Sequence, residues 1–310
     1  MALFDTIALA AQIAGAQSAY VAARTTDDSL RVRIERRIAA VTGSTVGVAY
    51  LDLARRDSLY LNADERFHAA STMKVPVMIE LFRRLDRGQL SLNKRIELRN
   101  EFASIVDGSP YSLNAADDSD SLVYQWVGTK VTVHDLLEHM ITRSSNLATN
   151  TLIAVVGAPA ANATARDLGA RDMLVLRGVE DGKAYAAGMN NMTTARDLAV
   201  LMNAIEYGTA ASPASTDSMR AVLLRQEFNG EIPAGLPPDT RVAHKTGQIT
   251  GHLHDAAIIY PRRRSPYVLV VLTRGIDDEK VARSLIADIS RLVYEHATAD
   301  VRVSSARAAP

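Results

Sequence analysis

The chain has 310 residues, of which 47% are hydrophobic and 23% are charged, so it can bury a sizeable core and is not a disordered polypeptide. Its 35 basic and 35 acidic residues balance, which gives no electrostatic reason to expect a nucleic-acid partner. It contains no cysteine, which excludes disulfides and thiolate metal sites.

Residues 1–43 form a lead-in segment ahead of the main fold. Ile7 to Ala16 is an apolar, alanine-rich stretch like the core of a signal peptide, but no lysine or arginine occurs before Arg24. Two interpretations stay open, an atypical signal segment and an ordinary amphipathic helix. A further helix is predicted from Leu30 to Ala40. No later apolar run is long enough to cross a bilayer, so we expect no stable membrane span.

Strand-like segments lie at both ends of the chain, with helical segments between them. The alternating segments are Thr45 to Asp52, Ser58 to Asn62, Val242 to Lys245, Ala256 to Tyr260 and Tyr267 to Thr273, and a last helix follows from Asp277 to Glu295. This order predicts an α+β fold of three layers (αβα), in which one antiparallel sheet from both ends is covered by helices and a central lobe is all helical. We predict a domain over 44–297, with an α/β lobe of 44–70 and 208–297, a helical lobe of 71–207, and a flexible tail of 298–310.

The central block combines amphipathic helices with two long loops. Helices are predicted from Ser71 to Gly88, Thr132 to Ile141, Asn146 to Val156, Pro159 to Leu168, Thr194 to Ile205 and Ser215 to Gln226. The stretch 107–120 is rich in Gly, Ser, Asn and Asp and predicts an exposed insertion, and 171–192 has no clear period and predicts mostly loop.

A serine and a lysine three residues apart open the first of these helices. Lys74 lies one turn after Ser71, on the same helical face, where a buried amine could take the serine proton. The helix N-terminus adds partial positive charge that favours an oxyanion. The spacing alone is weak, because Ser-x-x-Lys is expected about once by chance in a chain of this length. A second copy does occur at Ser91 and Lys94, and we interpret it as the chance match.

Two further motifs carry polar groups that suit the same chemistry. Ser144 and Asn146 lie at a junction between helices, where a hydroxyl and an amide can face a cleft; the alternative is an ordinary helix N-cap. On a late strand, Lys245 and Thr246 could bind a carboxylate, Gly247 lets a substrate approach the backbone, and the amide of Gln248 could donate to an oxyanion. The alternative there is an edge-strand lysine.

The order and wording of these motifs resemble the penicillin-recognising serine hydrolases, and class A β-lactamases in particular, from about Ser44 to Ala297. The matching segments are Ser71 to Pro76, Thr132 to Leu137 and Asn146 to Asn150. The resemblance implies that a β-lactam or an acyl-D-Ala-D-Ala-like amide acylates Ser71. It implies Lys74 as base or proton shuttle, Ser144 as proton donor to the leaving nitrogen, Asn146 as a ligand of the substrate amide, and Lys245 with Thr246 as the carboxylate site. The amides of Ser71 and Gln248 would form the oxyanion hole.

The resemblance weakens at the group expected to release the acyl product. It implies a loop glutamate as deacylation base, and Glu180, which precedes the pair Thr193-Thr194, lies in the right region. The family's Glu-x-x-x-Asn pattern is absent, because the fourth residue after Glu180 is Ala184, and Ser145 stands where the family usually has aspartate. Glu180 could instead be a surface carboxylate, which leaves Ser71 acylated for a long time.

The sequence therefore predicts a β-lactamase, with a D,D-peptidase or esterase, or a slowly deacylating penicilloyl-binding sensor, as the alternatives. The expected partner is a small-molecule substrate, a β-lactam or a peptidoglycan-like peptide, and the expected state is a monomer. The resemblance implies a periplasmic or secreted protein and a role in β-lactam catabolism or antibiotic resistance. No cofactor is expected, and no metal either, because His252 and His254 share a strand face without a third ligand.

Overall fold

The computed structural model describes residues 30–54 and 57–307. The helices are α1 (30–39), α2 (Lys74–Asp86), α3 (Val133–Thr142), α4 (Asn146–Val156), α5 (Ala158–Asp167), α6 (Gly182–Ala186), α7 (Ala195–Glu206), α8 (Pro213–Leu223) and α9 (Glu279–Arg307). The strands are β1 (Thr45–Asp52), β2 (Ser58–Leu61), β3 (Phe67–His68), β4 (Arg95–Glu97), β5 (Phe102–Ala103), β6 (Pro110–Tyr111), β7 (Lys130–Thr132), β8 (Met192–Thr193), β9 (Arg241–Ile249), β10 (His252–Tyr260) and β11 (Tyr267–Arg274).

One antiparallel sheet joins the two ends of the chain, as the sequence predicted. Its strand order is β2-β1-β11-β10-β9, so the N-terminal hairpin pairs with the C-terminal strands through β1 and β11. The register aligns Thr45 with Arg274 and Asp52 with Tyr267. The motif Lys245-Thr246-Gly247 therefore lies on β9, which pairs with β10 on one side and forms the edge of the sheet on the other.

Each face of the sheet packs on a different set of helices. Along β1, Val48 and Tyr50 belong to the core beneath α1 and α9, whereas Ala49 belongs to the core of the helical side. This alternation is the period-two pattern of a strand buried on both faces. On the helical side, α7 contacts β1, β10 and β11. The α+β architecture with helices on both faces, and with a largely helical lobe, is thus confirmed.

Helix α2 runs through the middle of the helical lobe. Every residue from Lys74 to Phe82 is buried, and α2 contacts α3, α4, α5 and α8. The predicted lobe boundary at residue 207 falls between α7, which packs on the sheet, and α8, which contacts α2 and α3 as well as β9. The lobes therefore interleave near this boundary, because the chain crosses between them at α7 and α8.

Several expectations differ from the structure at particular segments. The stretch 107–120 is not simply an exposed insertion, because Leu113, Asp118 and Asp120 are buried and β5 and β6 form a hairpin at its start. Helix α9 extends to Arg307, past the predicted tail boundary at residue 298. The predictions for residues 1–29 and for the turn at residues 55 and 56 lie outside the described residues. No helix among the described residues is long and apolar enough to cross a membrane.

Candidate active site

Ser71 lies where the helical lobe meets the edge of the sheet. It belongs to a short 3-10 helix, Ala70–Met73, that leads directly into α2 and contacts β9. Ser71 lines a cleft of about 660 Å³ together with Ser144, Asn146, Thr246 and Gln248 among others. The three motifs that are far apart in the sequence therefore share one cavity.

Lys74 is completely buried one turn after Ser71, and its backbone amide donates to the Ser71 carbonyl. Its Nζ donates to the Ser144 carbonyl at 2.6 Å, to the Ser144 Oγ at 3.1 Å and to the Asn146 Oδ1 at 3.1 Å. Burial lowers the pKa of Lys74 well below its usual range, the charge of Lys245 adds to this, and Asp118 and Glu180 oppose it. Lys74 is therefore easier to deprotonate than an exposed lysine, as a base for the serine requires.

Ser144 lies between two lysine side chains. Its Oγ accepts a hydrogen bond from Lys74 at 3.1 Å and another from Lys245 at 2.9 Å. A hydroxyl has two lone pairs and one hydrogen, so when both lysines donate, the hydrogen is left to point into the cleft. Ser144 adopts a left-handed backbone conformation, with φ at +59°, which is costly for a non-glycine residue and recurs at functional sites.

Lys245 supplies the positive charge at the sheet edge. It is fully buried, and its Nζ also donates to the Thr246 carbonyl at 2.9 Å. Burial lowers the pKa of Lys245 to about 7, against the opposing effect of the carboxylates of Asp255 and Glu231. Lys245 is thus not the ordinary exposed edge-strand lysine that was the alternative. A substrate carboxylate beside Thr246 would lie near the Lys245 ammonium, which is shielded from water and therefore attracts it strongly.

Gly247 brings the backbone of β9 against the nucleophile segment. A Cβ atom at this position would lie only 3.1 Å from the backbone nitrogens of Ser71 and Thr72. Any side chain would therefore crowd the amides at the start of the 3-10 helix. Gln248 follows on the same strand and lines the cleft.

Glu180 lies on the other side of Ser71, in a second cavity of about 440 Å³ that shares Ser71, Asn146 and Gln248 with the cleft. The amide Nδ2 of Asn146 donates to the Glu180 Oε1 at 2.7 Å, while its Oδ1 accepts from Lys74. Asn146 therefore connects the lysine to the glutamate. Partial burial raises the pKa of Glu180, the Asn146 hydrogen bond opposes this, and the charge of Asp118 adds to it.

The backbone around Glu180 is held by its neighbours. Glu180 has a φ of +61°, and the residues on each side are anchored. The Val179 amide donates to the Asn150 Oδ1 at 2.6 Å, and Asn150 donates back to the Val179 carbonyl at 3.0 Å. Asp181 accepts hydrogen bonds from the Ser104 Oγ at 2.9 Å and from the amides of Ile105 and Ala184, each at 3.0 Å.

Sequence reasoning missed most of these supports. Arg177 binds no carboxylate across the loop, and donates instead to the carbonyls of Met189 and Gly178 and to the Asn190 Oδ1. The hairpin β5–β6 begins before the predicted insertion 107–120, and it contacts the glutamate loop through Ser104 and Ile105. The only trace of these supports in this loop's sequence is Gly178, and its reason is structural, because a Cβ atom there would approach the Asn150 Oδ1 to 2.5 Å.

The discounted motif copies do not join the site. Ser91 is exposed in the loop before β4 and lines neither cavity. Ser112, which with Asn114 repeats the Ser-x-Asn spacing, likewise lies outside both cavities. Ser145, between Ser144 and Asn146, caps α4 by accepting from the Ala148 amide at 3.3 Å. Ser145 is thus the helix cap, while its two neighbours line the cleft.

The site combines a serine, a buried lysine, a bridging hydroxyl and a cationic pocket, which together define a serine hydrolase of the acyl-transferring class. The model of the "Beta-lactamase enzyme family" matches residues 29–297. The chain therefore belongs to the β-lactamase enzyme family, and it is a hydrolase that acts on the amide bond of β-lactams, as the sequence predicted.

Individual relatives and structures agree with this assignment. The β-lactamase of Streptomyces albus G is 28% identical over 269 residues, covering 84% of this chain and 83% of that protein. The β-lactamase AST-1 of Nocardia asteroides is 29% identical over 259 residues, with 82% and 79% covered. The structure of a β-lactamase from Sphaerobacter thermophilus aligns with a TM-score of 0.74 at 31% identity, covering 86% of this chain and 95% of that one. A mutant of PBP-A, solved as an acyl-enzyme complex with penicillin G, aligns with a TM-score of 0.75 at 29% identity, covering 86% and 96%.

Proposed function

We propose that the chain hydrolyses β-lactams through an acyl-enzyme on Ser71, which Glu180 then helps water to release. The observation that carries this proposal is that Ser144 and Asn146 link Lys74 to both Lys245 and Glu180 around one cleft. Acylation and deacylation thereby have separate groups on the two sides of Ser71.

In acylation, neutral Lys74 accepts the Ser71 hydroxyl proton while the Ser71 Oγ bonds to the lactam carbonyl carbon. The amides of Ser71 and Gln248 stabilise the oxyanion. When the C–N bond breaks, Ser144 delivers its proton to the leaving nitrogen and regains one from Lys74, so that the net transfer is from serine to nitrogen. The lowered pKa of Lys74 supports its role as base. Lys245 and Thr246 hold the substrate carboxylate, and Asn146 binds the substrate amide.

In deacylation, ionised Glu180 takes a proton from a water molecule, and the resulting hydroxide attacks the acyl carbon and breaks its bond to Ser71. The cavity on the Glu180 side has room for this water. Ala184, where the family pattern has asparagine, has no side-chain amide to hold this water. That absence favours the second candidate, a D,D-peptidase or slowly deacylating penicillin-binding protein, in which the same acyl-enzyme persists.

One experiment distinguishes the two candidates. Purified protein is mixed with a chromogenic cephalosporin in excess, and both the colour and the intact protein mass are followed. We expect steady colour development with only a minor acylated fraction, since both carboxylate and lysine are in place. A single burst of one equivalent with a stable mass increase would support the slow candidate. No reaction with several β-lactams would contradict acylation itself.

Removing the anchor beside Glu180 should slow release without slowing attack. In Asp181→Ala, the donors on Ser104, Ile105 and Ala184 lose their acceptor, at a cost of about 1–3 kcal/mol of folding stability. We expect deacylation to slow by about tenfold or more, because Glu180 is displaced, while acylation changes by less than about threefold. The measurements are the decay of the acyl-enzyme mass and thermal unfolding.

The matched control is Asp107→Ala, which removes an exposed ion pair with Lys183 at the tip of the same hairpin. We expect its unfolding temperature and its deacylation to be nearly those of the wild type. Deacylation at the wild-type rate in Asp181→Ala would show that this anchor does not position Glu180.

We further propose that the protein acts as a monomer in the periplasm or outside the cell and protects its host against β-lactams. Membership of the β-lactamase family supports the proposed location and role, since β-lactams reach their targets there. The measurements are fractionation of the native host and the change in β-lactam tolerance when the gene is deleted.

A further inference from the structure

Asp118 is a buried carboxylate at the edge of the cleft that none of the predicted motifs contains. It lies between β6 and a short 3-10 helix, Ser121–Trp126, with only 8% of its surface exposed. Both of its oxygens accept from the Asn146 amide, at 2.9 and 3.0 Å, and one also accepts from the Leu147 amide at 3.0 Å. The Tyr124 hydroxyl donates to it at 3.0 Å.

Two side chains share the task of accepting hydrogen bonds from the backbone amides in the first turn of α4. Helix N-terminal amides lack partners within the helix. The Ser145 hydroxyl satisfies only the Ala148 amide, and Asp118 satisfies the two that precede it, from 28 residues away in the sequence. The turn that carries Ser144 and Asn146 is thus fixed from outside the helix.

We propose that Asp118 is a positioning residue for this reaction, which holds the Ser144–Asn146 turn in place and brings a negative charge near the buried Lys74. This inference rests on the proposed function. Ser144 has a strained φ of +59° and lies immediately before the clamped amides, so loss of the clamp lets its hydroxyl leave the two lysines. Asp118 touches neither Ser71 nor the lysines through a hydrogen bond in the structure, and it acts through Asn146.

The charge of Asp118 also acts on the two titrating groups of the mechanism. The groups that face it are Lys74 from α2, Glu180 from the loop after α5, Tyr124 from the 3-10 helix and the adjacent Asp117. Asp118 raises the pKa of Lys74 against the larger effect of burial, and it adds to the raised pKa of Glu180. Removing its charge therefore lowers both pKa values, and both pH limbs move to lower pH.

The test uses the full chain with Asp118→Ala, Asp118→Asn and the double variant Asp118→Ala with Ser145→Asp. Aspartate is a favoured N-cap, so the double variant returns a carboxylate to the same helix end. The control is Asp135→Ala, which removes a carboxylate from the first turn of the neighbouring α3, outside the cleft. The readouts are the acylation rate with benzylpenicillin by intact mass, the pH dependence of acylation and deacylation, and thermal unfolding.

We expect Asp118→Ala to lower the acylation rate by about 10- to 100-fold, and the double variant to recover part of that loss. Asp118→Asn, which keeps the shape and one acceptor oxygen, should shift both limbs to lower pH. Asp135→Ala should be acylated at the wild-type rate, even if its thermal unfolding temperature is lower than that of the wild type. If wild type reacts but Asp118→Ala acylates within twofold of it, or if Asp118→Asn leaves both limbs in place, the inference is wrong while the proposed function stands. If wild type forms no adduct, the proposed function itself fails.

Discussion

Replacing Ser71 by alanine should abolish covalent reaction with β-lactams and lower turnover of a chromogenic cephalosporin by about 10⁴-fold or more. The cleft, the buried Lys74 and the bridging Ser144 stay in place in this variant, but no oxygen is left to form the acyl bond. Residual hydrolysis would come from substrate binding and the backbone amides alone. The measurements are the intact mass after incubation with benzylpenicillin and the rate of colour development.

The chain provides its own matched control for this variant. Ser91 and Lys94 repeat the Ser-x-x-Lys spacing on an exposed loop outside both cavities. Ser91→Ala should therefore react at the wild-type rate and give the wild-type mass increase. A mass increase that persists in Ser71→Ala, or that disappears in Ser91→Ala, would move the nucleophile away from Ser71.

The fold was predictable because its strands and helices have clear periods. The segment 45–52 alternates as a strand should and is β1 over the same residues, and 146–156 is predicted and observed as α4. Thr132, where the predicted helix begins, caps α3 by accepting from the Asp135 amide. The starts of α3 and α4 followed from such local signals, whereas the end of α9 did not. The sheet followed from the position of strands at both ends of the chain.

The loops were not predictable because their contacts are long-range and polar. A stretch rich in Gly, Ser, Asn and Asp is typical of a solvated loop. Asp118 in this stretch is nevertheless buried, and it accepts a hydrogen bond from the backbone amide of Asn146, 28 residues later. The same holds for Asp181, whose partners Ser104 and Ile105 precede it by more than 70 residues. No local pattern reports which carboxylate will meet which unpaired amide.

The candidate site was predictable in its trio of motifs and less so around Glu180. The order Ser71, Ser144 and Lys245 corresponds to side chains that the fold brings to one cleft, since both lysines reach the Ser144 hydroxyl. The sequence could not say whether Glu180 would reach this cluster, because the loop has no period and lacks the expected asparagine. Asn146, predicted to bind substrate, also holds Glu180 in the structure.

Replacing Glu180 by glutamine should convert turnover into accumulation of the acyl-enzyme. Acylation needs Ser71 and Lys74, which this change leaves in place, whereas hydrolysis needs a base for the attacking water. We expect the deacylation rate to fall by about 10²- to 10⁴-fold and the acylated mass to become the main species. The wild-type deacylation rate should fall as the pH drops through the pKa of Glu180, which lies above its usual value, and the variant should lack this limb.

The control is Glu101→Gln, which neutralises an exposed carboxylate before β5 and should turn over like the wild type. Loss of a group that acts only in deacylation leaves the initial burst of product intact. It abolishes the steady turnover that follows the burst, so acylation and deacylation can be measured separately. Because Asn146 donates to the Glu180 carboxylate and accepts from Lys74, the glutamine variant also tests whether this link matters for attack. An acylation rate close to that of the wild type, together with a stable adduct, assigns Glu180 to water activation. Normal turnover in Glu180→Gln would instead mean that another group activates the water, and that Glu180 is the loop carboxylate of the alternative interpretation.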